Sequence, residues 1–60
     1  MSDRAQLLRA EARELNRHKA AGGSAEYLRK RALVVGRLYG PGAVEQVRDL
    51  MPVVAEEELQ

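Results

Sequence analysis

Glu11, Glu14 and His18 are the side-chain types that hold divalent metals, and the last two stand four residues apart, one turn of a helix. On a helix they could present two carboxylates and an imidazole to a cation. Two or three ligands from a single helix leave a coordination sphere open and weak. The spacing is therefore read as a hydrogen-bonded Glu14–His18 pair on a helix surface, with the histidine well placed near a C-terminal helix end. His18 is the one histidine, and there is no cysteine. A nucleophile needs an activating base beside it, and 60 residues leave little room for a pocket of several hundred Å³. The sequence reads as a non-enzyme with no metal, no cofactor and no small-molecule substrate.

The second chemistry on offer is phosphate binding. Arg9, Arg13 and Arg17 recur at every fourth residue, which on a helix makes a basic ridge whose like charges cost a few tenths of a kcal/mol per pair. Arg29, Lys30 and Arg37 gather on the polar side of the next segment. Nucleic-acid phosphates would relieve that repulsion, with steep salt dependence. The acidic run Glu56 to Glu58 would relieve it too, and a net charge of +1 is not the strongly basic profile of a small nucleic-acid binder. Solvation or the acidic end is the favoured account, with nucleic acid as the alternative. Gly40-Pro41-Gly42 has the look of an anion-cradling helix start, but Pro41 removes one donor and no Lys-Ser/Thr follows.

Gly36 and Gly40, followed by an amphipathic run, resemble the small residue and turn glycine of DNA-reading helix-turn-helix proteins. The resemblance ends there. Counted from Gly40, the positions that would seat the second helix are Gln46 and Asp49, both polar, while Val44, Val47 and Leu50 fall out of step. Pro41 directly after the turn glycine is a further departure. The stretch is read as packing against protein, not as reading DNA.

These residues must be carried by helices. Asp3 or Ser2 suits a cap, with Gln6 three residues after Asp3 as in a capping box, and Gly22-Gly23 is a stop. A helix is expected over about residues 3–20, with Ala5, Leu8, Ala12 and Leu15 forming a narrow seam. Ser24 is placed to cap a second helix over about 25–39, which makes a helical hairpin. On it Leu28, Ala32, Val35 and Tyr39 fall on one stripe and Tyr27, Val34 and Leu38 on another, with Arg31 between them. The arc of around 200° is about twice what a surface helix needs. Ala32, Gly36 and Gly40 stack at i, i+4 and i+8, a shallow groove for a crossing helix; mid-helix Gly36 costs about 0.5–1 kcal/mol relative to alanine, which close packing would offset.

Gly40 is suited to a left-handed cap and Pro41 to a first-turn position of a shorter third helix over about 42–51. Its apolar face is Ala43, Val44, Val47, Leu50 and Met51. Pro52 stops or kinks it, and residues 53–60 are expected as an acidic tail, with a short extra helix as the alternative. The expected fold is an all-α domain of three helices spanning residues 1–60, a hairpin plus a shorter third helix, with a core of Leu8, Leu15, Leu28, Val35, Leu38, Val44, Val47 and Met51.

That core is meagre. The large apolar residues are eight Leu, six Val, two Met and two Tyr, with no Phe or Trp, and a chain this short buries only about 60% of its unfolded surface. Small domains often need a disulfide, a metal or a partner, and the first is excluded here. Charge is also polarised: residues 1–40 carry nine Lys or Arg against four Asp or Glu, whereas residues 41–60 carry one against five. No apolar run approaches the roughly 18 residues needed to span a bilayer, and the chain is expected in the cytoplasm. The expected function is protein–protein interaction, by self-association, docking on a larger protein, or both. The residues expected to carry it are Tyr27, Arg31, Val34 and Leu38, with Leu7 and Leu33 on otherwise polar faces.

Overall fold

The first corner is set by glycines that end a helix which would otherwise run on. The computed structural model describes residues 3–59, and α1 spans Asp3–Ala20. At its end the Gly22 amide donates to the Lys19 carbonyl (3.2 Å) and the Gly23 amide to the His18 carbonyl (2.6 Å), the paired bonds of a Schellman stop. Gly22 has φ +81°, which disfavours any side chain. A Cβ on Gly23 would lie 2.6 Å from the His18 carbonyl oxygen, so both glycines are needed. Asp3 is itself the first helical residue, and the expected Ser2 cap lies outside the described residues.

Ser24 then opens α2, Ala25–Tyr39, its hydroxyl accepting from the Tyr27 amide at 3.1 Å, as the sequence led one to expect. Gly40 closes this helix with φ 90° and ψ −173°, backbone that only glycine adopts readily. Gly42, not Pro41, occupies the cap of α3, Ala43–Glu58. Pro41 therefore stands in the turn before the cap and not in the first helical turn.

The third helix corrects the sequence reading. It is not the shortest of the three, with 16 residues against 15 for α2, and it continues through Pro52. Residues 53–58 are helix, not tail. A proline inside a helix loses one backbone bond and costs about 3 kcal/mol. Contacts on either side of it offset that cost. Val54 is completely buried, the Asn16 side-chain amide donates to the Met51 carbonyl at 2.8 Å, and Arg9 pairs with Glu57. The last two reach across from α1, which packs more extensively on α3 than on its hairpin partner α2.

The result is a compact all-α domain of three helices with no strand among the described residues. Its core is Leu8, Ala12, Leu15, Val35, Ala43, Val47 and Val54. Leu28, Val44 and Met51, expected inside, are half-buried against it. Leu38, also expected inside, is 62% exposed: it belongs to the outer stripe of α2, which turns away from the core. Ala5 is exposed as well, and Glu11 takes a buried place on the inner side of α1. Among the described residues no helix is long and apolar enough to cross a membrane.

Candidate protein-interaction face

The two stripes read from the α2 sequence meet different fates. Leu28, Ala32, Val35 and Tyr39 turn toward α1 and α3 and are buried or half-buried. Tyr27, Val34 and Leu38 stay exposed, at 38%, 39% and 62%. Their spacing of seven and four is the near-heptad rhythm with which one helix lies along another. Arg31 sits on the line between the stripes.

Arg31 is held there by α1. Its Nε donates to Glu11 Oε2 at 3.0 Å and its Nη2 to Glu11 Oε1, a two-point ion pair. Donation to Glu11 raises the guanidinium above its ordinary pKa. The Glu11 side chain is only 10% exposed and that of Arg31 34%, so the pair forms the floor of a seam between the helices. Two further contacts fix the antiparallel register. Arg4 Nη2 donates to the Tyr39 carbonyl (3.2 Å) at one end, and the His18 and Tyr27 rings stack with centroids 4.2 Å apart at the other.

Leu7 lies between Arg4 and Glu11 along α1, one turn before Glu11, and is 48% exposed. The register sets it level with the Val34–Leu38 turn of α2. By this register Leu7 of α1 and Val34, Leu38 and Tyr27 of α2 are exposed apolar side chains of the hairpin, spread to either side of the Glu11–Arg31 pair. Five of the six residues expected to bind a partner fall together. Leu33, 68% exposed, does not join them: at 100° per residue it falls on the far polar side of α2, with Glu26 and Arg37.

The metal-like trio comes apart in the structure. Glu11 turns to Arg31, while Glu14 and His18 keep their surface pair at 3.7 Å. Among the described residues no group of three or more His, Cys, Asp or Glu is arranged to hold a metal ion. The arginine ridge is partly answered by the chain's own acids: Arg9 pairs with Glu57, and Arg13 and Arg17 border an open hollow that Glu58 also lines. Arg29 and Arg37 are exposed, and Lys30 reaches Glu26 at 3.4 Å.

A second apolar feature, unforeseen in the sequence, is a cleft of about 180 Å³ where the three helices converge. Helix α2 approaches α3 closely at Gly36, whose position faces Val44. Further toward the N-terminus of α2, Leu28 and Ala32 line the opening with Leu15, Met51 and the stems of Lys19 and Arg48.

The ion pair had a signal in the sequence. Glu11 is acidic beside the seam of Leu8, Ala12 and Leu15, and Arg31 is basic between two apolar stripes, so each needs an opposite charge once its helix packs. No protein-family model, no curated protein and no solved structure matches the chain.

Proposed function

We propose that the chain is a small, non-catalytic helical module that works by binding protein through the outer α1–α2 face. The supporting observation is the split of the α2 apolar arc. If the width of that arc served only to touch two neighbours within the domain, both stripes would be covered. One is, and Val34 and Leu38 of the other are not, while Tyr27 meets only His18 and stays 38% exposed. Apolar residues scattered singly over a surface are ordinary; four on the outer side of two adjacent helices support an interaction site. The Glu11–Arg31 pair adds specificity, because a partner that covers it must be shaped around a neutral, fixed group. The ridge of Arg9, Arg13 and Arg17 offers less to nucleic acid than its spacing suggests, since Glu57 and Glu58 stand beside it.

Site-specific photo-crosslinking in the native host tests this. A photoreactive amino acid in place of Leu38 is expected to capture polypeptide, whereas the same group in place of Asp49, exposed on α3, captures none. Absence of any protein adduct from Leu38 would overturn the reading.

A further inference from the structure

We infer that the partner on this face is a second copy of the chain, the two hairpins packed face to face about a two-fold axis parallel to α1 and α2. The inference rests on the reading of the face as protein-binding and names its occupant. In this arrangement α1 of each copy lies along α2 of the other, and four helices enclose the face that two leave open.

Area is the first argument. A folded monomer of 6.7 kDa exposes roughly 3,900 Å² by the usual scaling with mass. This chain exposes 4593 Å², an excess of about 700 Å² over that scaling. The surface each partner hides in a standard stable interface is about 800 Å². The shape agrees: the backbone measures 29 × 28 × 14 Å, a slab with broad faces.

Self-complementarity is the second argument, and it selects this partner over an unrelated protein. A two-fold axis parallel to the helices leaves heights along them unchanged. Residues level with one another across α1 and α2 within a protomer are therefore level across the interface. Arg4 with Tyr39, Glu11 with Arg31 and His18 with Tyr27 fix those levels. Leu7, between Arg4 and Glu11, meets Val34 and Leu38 of the second copy. Glu14, between Glu11 and His18, meets the stretch from Tyr27 to Arg31 and with it Lys30. Apolar faces apolar, and acid faces base. The two Glu11–Arg31 pairs lie toward the middle, each neutral, so covering them leaves no charge alone.

Sedimentation equilibrium of the full chain tests the pairing. At tens of micromolar the wild type is expected at twice 6.7 kDa, and a mass of one chain there overturns the second-copy proposal. Leu38→Glu is expected to weaken association at least about thirtyfold with helical circular dichroism intact, and Leu33→Glu on the far side to leave it unchanged. Equal association of wild type and Leu38→Glu overturns the assigned face. Glu14→Lys should weaken the dimer and Glu14→Lys with Lys30→Glu should restore it; failure of the swap to restore it overturns the axis direction. A monomeric wild type whose Leu38 still crosslinks to other polypeptides removes the second copy and leaves the protein-binding function. No adduct of any mass removes both.

Discussion

Glu11 of α1 and Arg31 of α2 close a two-point ion pair across the hairpin, with the carboxylate nearly buried and the guanidinium about one-third exposed. This joins two helices whose packing on each other is slighter than that of either on α3. Helix α1 packs chiefly on α3, and α2 leaves half of its apolar arc outside.

Arg31→Met is expected to destabilise the fold by about 2–3 kcal/mol, because it leaves Glu11 without its charge partner in a site of low solvent access. The value lies below the roughly 3–5 kcal/mol of a fully buried pair, since water screens the exposed third of Arg31. Glu11→Leu combined with Arg31→Met removes both charges and should return to within about 1 kcal/mol of wild type. Urea denaturation of the wild type, Arg31→Met, Glu11→Leu and the double variant at one fixed concentration measures the cycle. The raised guanidinium pKa stabilises the fold in full below the unfolded-state value and is lost only as pH rises through the folded value. Both lie well above the range between pH 7 and about pH 10, so the Arg31→Met deficit should not change there on account of Arg31.

Val54→Ala should cost about 2 kcal/mol, the loss of buried methyl groups plus the cavity they leave. In a domain this small that lowers Tm by roughly 8–16 °C. The neighbouring Val53, 45% exposed, should tolerate the same change within about 0.5 kcal/mol. Equal melting of the two variants would show that the turn beyond Pro52 does not hold the fold together.

How far the sequence exposed this arrangement depends on the range of the forces involved. The boundary between α1 and α2 was legible at Gly22, Gly23 and Ser24 because caps and stops are local: each bond spans at most five residues. Both stripes of α2 were legible from periodicity. Which stripe turns inward was not, since that depends on where α1 and α3 lie. Pro52 misled for the same reason. Its local chemistry argues for a stop, and only contacts with α1, through Asn16 and Arg9, together with the burial of Val54, carry the helix past it. Periodicity places Leu38 equally well in the core or on the surface, and only the packed domain shows that it is not core.

At the first corner, Ser24→Ala removes the acceptor for the Tyr27 amide and should cost about 1 kcal/mol. Gly22→Ala forces a side chain into φ +81° and should cost about 1–2 kcal/mol. The two sites serve different helix ends, so the double variant should show nearly the sum. Thermal denaturation monitored by circular dichroism decides it. A Gly22→Ala protein as stable as wild type would mean that the corner does not require left-handed backbone.

Gly36 carries the last prediction, and its sign is opposite. Mid-helix glycine and its place in the Ala32-Gly36-Gly40 row suggest a position where another helix presses too close for a side chain. The geometry says otherwise. A Cβ built on Gly36 would meet Val44 Cγ2 at 3.5 Å, an ordinary van der Waals distance, and Gly36 sits in regular helix. Alanine there adds a contact to Val44 and removes conformational freedom from the unfolded chain. Gly36→Ala is therefore expected to stabilise the domain by about 0.5–1 kcal/mol, read as a higher urea midpoint at unchanged slope. A destabilised variant would mean that α2 and α3 cross more closely at Gly36 than this spacing.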